Sequence, residues 1–519
     1  MYVPLTIGDF LNRAVTVYAD RVAVVDEPDT PGSFGSLTYA ELDARARGMA
    51  LALEAMGVEQ GQKVAIVSPN AARFLVSFFG VSGYGRVLVP VNFRLNTDEV
   101  QYIVDHSQAS VLLVDPEMDE ALASVSAKHR IVLDGTADAA LFAPAAPGQT
   151  PQVWEADENA TVSINYTSGT TARPKGVQLT HRNCWLNSSI FGWHTTVTDR
   201  DVFLHTLPMF HCNGWGMPYA VTAMGCKQIV QRKIDGEEIL RRIDEHGITL
   251  MCGAPAVVAA VLDAATARVG RGEAIPGRDQ VRIVVAGAPP PSKIIERVGT
   301  DLGWEFIQIY GLTETSPLLT INRARQEWDD LDPSERSQLL SRAGVPAVGV
   351  QIRTDDDGEI LARSNHVFEG YWDQPVETAA ALRDGWFHTG DGGYISDHGY
   401  LVIEDRKKDV IITGGENVSS IEVEDCLYQH PAVAEVAVIG VPHDKWGETV
   451  TALVVLREGQ DATEADLIGF TRERMAHYKC PTSVEFRTSL VRTATGKLQK
   501  FKLRAPYWEG RDKMISGGS

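Results

Sequence analysis

Cysteine is scarce in this chain and is never closely paired. There are 6 in 519 residues, at Cys184, Cys212, Cys226, Cys252, Cys426 and Cys480. With no CxxC pair, neither a zinc site nor a disulfide framework is indicated, and the composition reads as that of a cytoplasmic chain in a reducing compartment. Excess positive charge is missing too: the formal net charge is −20, which argues against wholesale nucleic-acid binding. No apolar run reaches the ~18 to 20 residues of a membrane-crossing helix. The nearest, Phe74 to Val91, is interrupted by Gly80, Gly83, Gly85, Arg86 and Pro90. It reads as a buried helix followed by a strand from Val87 to Val91. The opening MYVPLTIGDFLNRA lacks the basic start and apolar centre of a secretion signal. Internal repeats and low-complexity segments are absent as well.

What is present is ordinary for a globular chain, with 44% hydrophobic and 22% charged residues. Its length exceeds one core, so at least two domains are expected. Thr38 and Glu41 stand at capping-box spacing and open a helix that Gly57 ends. Val64 to Ser68, Val111 to Val114 and Ile131 to Leu133 read as buried strands. Apolar runs alternate with helical stretches, which predicts an α/β fold of layered, largely parallel sheets. The runs Ile283 to Ala286 and Phe306 to Tyr310 each end in a tight turn, at the strand ends where open α/β sheets place ligands. Arg323 to Arg342 reads as a surface excursion. Gly344 to Gly399 reads as a small β-rich subdomain, rich in turns such as Asp355-Asp-Asp-Gly358. The charge run Asp405-Arg-Lys-Lys-Asp409 precedes a compact α+β pattern and reads as a linker.

The most informative stretch is Tyr166 to Val177, YTSGTTARPKGV. Small residues let backbone approach a bulky anion, hydroxyls and free amides donate to phosphate oxygens, and Lys175 adds a point charge. A plain surface turn needs neither so many hydroxyls nor a lysine held between Pro174 and Gly176. It is not a Walker A loop, because that motif needs Gly before the lysine and Ser or Thr after it, whereas Pro174 precedes Lys175 and Gly176 follows, a pair that disfavours a helix opening there. Thr161 to Asn165 and Val177 to Thr180 read as the two arms of a hairpin, with the loop as a mobile lid over pyrophosphate.

Further motifs follow in a fixed order: Pro208-Met-Phe-His211, Gly287-Ala-Pro, Tyr310-Gly-Leu-Thr-Glu-Thr315, Trp386-Phe-His-Thr-Gly-Asp391, Asp405-Arg-Lys-Lys-Asp409, Gly414-Gly-Glu-Asn417 and Thr495-Gly-Lys497. Together with the hydroxyl-rich loop, the set resembles the adenylate-forming superfamily over nearly the whole chain. Within it, Phe210-His-Cys-Asn-Gly-Trp215 is similar to the free-standing acyl-CoA synthetases. The resemblance implies a large domain over 1–404, a hinge over 405–409 pivoting at Lys408, and a small mobile α+β domain over 410–519.

It also implies a division of work. A carboxylate is activated by ATP as an acyl-adenylate with release of pyrophosphate, then passed to CoA with release of AMP. ATP and AMP would be held by Thr167, Ser168, Gly169, Thr170, Thr171 and Lys175, and by Gly287, Ala288, Pro289, Gln308, Tyr310, Gly311 and Thr313. Asp391, Ile403 and Arg406 complete that set. Tyr310 offers a flat face to adenine, Asp391 two acceptors to the ribose diol, and Glu314 a hard oxygen to Mg2+. A carboxylate at Glu314, in a pocket without a pairing partner, is otherwise unfavourable. Lys497 would bridge the acid and the α-phosphate, with His211, Thr167 and Lys175 beside it in catalysis. Gly414, Gly415 and Glu416 would receive the pantetheine arm of CoA. His211, Asn213, Trp215, Gly216, Gly287 and Gly311 would form the acyl pocket, with Met217 beside Trp215 and Trp215 a candidate gate. Cys212 next to His211 reads as a pocket-lining residue rather than a nucleophile. Ala172, where the loop more often has Gly, is a mild departure.

The expected function is therefore an acid–CoA ligase for a hydrophobic, fatty-type acid, a monomer or homodimer with no nucleic-acid partner. Three alternatives stand beside it: an acyl-AMP ligase that loads a carrier protein, a non-catalytic acyl-nucleotide sensor, and a luciferase-type oxygenase that would share the adenylating residues.

Overall fold

The computed structural model describes residues 1–167, 174–287, 290–406, 410–413, 416–443, 446–492 and 498–509, without the side chains of 404–406 and 417. Two large sheets dominate. The first runs from Ser36–Thr38 through Val22–Val25, Lys227–Val230, Val202–His205, Leu250–Gly253, Arg282–Val285, Glu305–Gly311 and Leu318–Arg323 to Val345–Pro346. Its inner strands, from Val22–Val25 to Glu305–Gly311, are all parallel. The second contains Val87–Val91, Lys63–Val67, Ala109–Val114 and His129–Val132 in parallel, joined at Val87–Val91 by the antiparallel hairpin Thr161–Thr167 and Lys175–Thr180. These parallel strands are near-continuous apolar runs because helices cover both faces. The alternation in the sequence thus gives the α/β class expected of it.

The helix Ala72–Gly80 is buried along its whole length, and its two polar side chains are paired inside, Arg73 with the Asp138 carboxylate and Ser77 with the Arg73 carbonyl. The helix Tyr39–Ala55 packs beside it, opened by the Thr38–Glu41 capping box. One apolar core runs across this layer from Ile7 to Leu401.

Polar clamps fix the two sheets to each other. Asp115 follows one strand and accepts from the two terminal guanidinium nitrogens of Arg232, at 3.1 and 2.9 Å. The two amide hydrogens of Asn70 are shared among the carbonyls of His205, Leu207 and Gln231, at 2.9, 3.0 and 3.2 Å from its nitrogen. Asn70 also accepts from the Met209 amide at 2.7 Å. One buried side chain therefore anchors the segment that leads to His211.

The β-rich region forms its own antiparallel sheet of Gln351–Thr354, Glu359–Arg363, Trp386–Ile395, Leu382–Arg383 and Leu401–Arg406. It is not a free module, because Gly370–Tyr371 leaves it to pair with Val177 and Gln178 of the hairpin. A fourth sheet, built on the long pair Val433–His443 and Gly447–Leu456, carries the helices Ser420–Tyr428 and Lys500–Trp508.

Candidate active site

The hairpin places Thr167 directly opposite Lys175. The residues between them, including Ser168, Gly169, Thr170, Thr171 and Ala172, lie outside the described part of the chain. The Lys175 ammonium sits 4.8 Å from the ring centroid of Tyr371, within cation–π range. The Tyr371 hydroxyl in turn donates to a Glu314 carboxylate oxygen at 2.9 Å. Lys175, Tyr371 and Glu314 thus form a continuous chain from the hydroxyl-rich loop to the Thr313–Thr315 turn. The expectation that Glu314 lacks a partner fails here. Tyr371 reaches it from a strand 57 residues away in sequence, a partner that no local pattern could show. Burial pushes the Glu314 carboxyl above the usual carboxylate range, and nearby Asp391 adds to the rise while Lys175 opposes it.

The strand Glu305–Gly311 supplies the next group. Side chains two apart on a strand share a face, so Gln308 and Tyr310 point the same way. The Tyr310 hydroxyl donates to Asp391 at 2.8 Å. The buried Gln308 carbonyl oxygen has no partner among the described residues. At Gly311 a Cβ would lie 1.5 Å from the Pro317 carbonyl oxygen, so no larger residue fits. That contact folds the chain tightly back and sets the turn. The Phe368 amide then donates to the Glu314 carbonyl at 2.7 Å. Thr315 closes the turn through Leu312 and Pro317.

Asp391 projects from a bulge in Trp386–Ile395 and is 9% exposed. Across the sheet its backbone pairs with Arg406, and Gly393 pairs with Ile403. Asp391, Arg406 and Ile403 are thus brought together at backbone level, the Arg406 side chain lying outside the described atoms.

The acyl side is built on unusual backbone. Cys212, Asn213, Gly214, Trp215 and Gly216 have φ of 47°, 51°, 59°, 61° and 78°. A left-handed non-glycine residue costs about 1–2 kcal/mol, so surrounding contacts must hold this turn. Asn213 donates to Ser163 at 2.8 Å and accepts from Asn165 at 3.2 Å. Asn187 donates to the Trp215 carbonyl and accepts from the Leu318 amide, both at 3.1 Å. Asn213 is 1% exposed, so its polar atoms face these partners beneath the turn. Trp215 and Met217 are buried as well. His211 is half-buried, its amide bonded to the Pro208 carbonyl at 3.0 Å. The Cys212 thiol donates weakly to the Thr313 carbonyl at 3.9 Å, which ties this segment to the Thr313–Thr315 turn.

Gly287 follows the strand Arg282–Val285 with φ of 100°. Just beyond it, the Asp425 carboxylate accepts from the Ser292 amide at 2.9 Å and its hydroxyl at 3.2 Å. The helix Ser420–Tyr428 thereby touches the large domain beside the site. Glu416 begins a short strand and is exposed. Ala288, Pro289, Lys408, Gly414, Gly415 and Lys497 lie outside the described residues.

Comparison with known proteins gives a consistent result. The sequence model described as AMP-binding enzyme matches residues 11–372, and that of the AMP-binding enzyme C-terminal domain matches 422–497. A 2-methylpropanoate–CoA ligase from Humulus lupulus is 35% identical, over 96% of this chain and 95% of its own. A 4-hydroxybutyrate–CoA ligase from Metallosphaera sedula is 36% identical, over 95% and 93%. Among solved structures, an anthranilate CoA ligase in complex with anthranoyl-AMP superposes with a TM-score of 0.86. It is 26% identical and covers 97% of this chain and 98% of that one.

Proposed function

The chain belongs to the AMP-binding enzyme family of adenylate-forming proteins, and on that premise we propose that this AMP-forming acyl-CoA synthetase acts on a short hydrophobic carboxylic acid. The observation that carries the reading is the convergence of Lys175, Glu314, Tyr310 and Asp391 on the end of one buried strand. Cation, carboxylates and aromatic face are the groups that a nucleoside triphosphate calls for. The small acids named for the curated relatives, and the tightly filled turn at Trp215, favour a compact acyl group.

In the first half-reaction the substrate carboxylate attacks the α-phosphorus of ATP and pyrophosphate leaves. Tyr310 lies under adenine, and the Gln308 side-chain oxygen, without a partner among the described residues, accepts from an amino group of the base. Asp391 takes the ribose hydroxyls, with Ile403 and Arg406 beside it. Thr167 and its loop, with Lys175, hold the outer phosphates, while Thr313 donates to the α-phosphate. Glu314 fits Mg2+: its carboxylate is desolvated and faces a second carboxylate, a setting that a divalent cation relieves. Held there, a divalent cation would neutralise charge on the phosphates. Lys497 stabilises the charge that builds at phosphorus.

In the second half-reaction the CoA thiolate attacks the acyl carbon and AMP leaves. Gly414, Gly415 and Glu416 receive the pantetheine arm after the 410–519 domain turns about Lys408. Among the described residues no helix is long and apolar enough to cross a membrane.

The test is AMP release on a panel of acids from acetate to palmitate, with benzoates, in the presence and absence of CoA. Turnover on short aliphatic acids that depends on CoA supports the reading. Acid-dependent pyrophosphate exchange with no thioester formed would favour a carrier-protein ligase. No adenylate from any acid would overturn the function.

A further inference from the structure

Asp391 reaches Tyr310 because its strand is deformed. In the ladder between Glu359–Arg363 and Trp386–Ile395, Leu361 pairs with His388 and Glu359 pairs with Gly392. Thr389, Gly390 and Asp391 therefore all face the single residue Ile360. A bulge of this kind bends the strand and re-aims a side chain, but it takes backbone groups out of the ladder. Gly390 also sits at φ of 74°.

Two side chains satisfy the bulge. The Thr389 hydroxyl donates to the Ile360 carbonyl at 2.7 Å and accepts from the Asp391 amide at 3.1 Å. The Glu359 carboxylate accepts from the Gly390 amide at 3.0 Å. Its other oxygen lies 3.3 Å from His388 Nδ1 and 3.8 Å from Arg383. Glu359 is 8% exposed. The Asp355 carboxylate takes the Glu359 amide at 2.7 Å, so the preceding turn fixes the start of the strand. Ligand atoms of Asp355, Glu359 and His388 lie within 4.8 Å of one another. Their oxygens already accept the hydrogen bonds just named, so the cluster reads as a brace rather than a cation site.

We propose that Glu359 is a positioning residue for the nucleotide ribose: it closes the Thr389–Asp391 bulge and so fixes the carboxylate that reads the sugar hydroxyls. The inference rests on the ribose role of Asp391 given above. A charge-assisted bond from a buried carboxylate is strong, and this one holds the residue directly before Asp391. Without it Gly390 swings freely and the Asp391 carboxylate is misaimed.

The experiment measures the affinity of full-length protein for AMP and for 2′,3′-dideoxy-AMP, with thermal melting recorded alongside. The unaltered protein should prefer AMP by at least tenfold. Glu359→Met fills the same volume without an acceptor. It should weaken AMP about tenfold and leave the dideoxy nucleotide unchanged, while Glu359→Gln, which can still accept from Gly390, restores most of the preference. If the methionine variant does not fold, Glu359→Asp replaces it, since its shorter arm cannot reach Gly390. Equal loss for both nucleotides, or no loss for AMP, would overturn the proposal. Asp391→Asn separates the two claims. If it keeps the preference for AMP, the ribose role itself is wrong. If it loses the preference and Glu359→Met does not, only the positioning role falls.

Discussion

The Tyr310 hydroxyl and the Asp391 carboxylate are joined by a 2.8 Å hydrogen bond across 81 residues of sequence. In the function proposed above, the first offers its aromatic face to the base and the second its acceptors to the sugar. On that proposal the bond would fix the distance between the two subsites for one nucleotide.

Tyr310→Phe removes that bond and keeps the ring. A hydrogen bond to a charged group contributes about 1.5–3 kcal/mol, shared here with the incoming ribose. The expected result is a KM for ATP raised by about tenfold with kcat little changed. Tyr310→Ala also removes the stacking face and should weaken ATP further. Steady-state kinetics with ATP varied would check this; unchanged KM in the phenylalanine variant would show that the bond orients nothing.

Tyr371 makes a second prediction. Its ring meets Lys175 and its hydroxyl meets Glu314. Tyr371→Phe leaves the cation contact intact and strips the carboxylate of that donor. Glu314 should then hold a divalent cation less well oriented, lowering kcat/KM by about tenfold to a hundredfold and raising the Mg2+ concentration for half-maximal rate. Tyr371→Leu should be worse, since it removes the ring as well. A Mg2+ titration of activity distinguishes this from a general loss of stability, which would not move the metal dependence.

These two residues show what a sequence can and cannot disclose. Tyr310 stands inside a dense motif, Tyr-Gly-Leu-Thr-Glu-Thr, so its place at a strand end could be read locally. The hairpin around the phosphate loop was equally legible, because apolar alternation on both sides of a Gly/Pro-bearing loop has one simple solution. Tyr371 sits in Gly-Tyr-Trp, an unremarkable tripeptide. Its role arises only because the strand Gly370–Tyr371 crosses to the hairpin sheet. Asn70, Asn187 and Glu359 were invisible for the same reason. Each is a buried polar residue whose partners lie far along the chain, and burial and pairing are set by topology. The left-handed run at Cys212–Gly216 was hidden too, since only two of its five members are glycine.

Asn70 offers a direct measure of that hidden framework. Asn70→Ala would leave the carbonyls of His205, Leu207 and Gln231 and the amide of Met209 without this partner. Unsatisfied buried groups cost about 1–3 kcal/mol each, and relaxation recovers part of this, so a net loss of about 3–5 kcal/mol is expected. Because the same clamp steadies the approach to His211, the KM for the acid should rise more than that for ATP. Urea unfolding and kinetics with each substrate varied would check both effects. A stable variant with equal KM changes would count against the clamp.

Acid sensitivity follows from two buried imidazoles. His181 accepts the Ile7 amide at 3.3 Å through Nδ1, and His205 lies 2.9 Å from the Gln228 carbonyl oxygen through Nε2. Burial pushes both down to about 4, below the ordinary value of about 6.5. The native form therefore keeps both rings neutral while the unfolded chain takes up protons. Their contribution is fully present above about pH 6.5 and is lost progressively as pH falls from there towards 4. At pH 5 the gap is about 1.5 units, or roughly 2 kcal/mol for each ring. Unfolding free energy measured by denaturant at pH 7.5 and 5.0 should drop accordingly. Replacing His181 by Asn keeps an acceptor for Ile7 and removes the titrating ring, so the drop should shrink by about 2 kcal/mol. If the two proteins lose stability in parallel over this range, protonation of His181 is not what drives the acid loss.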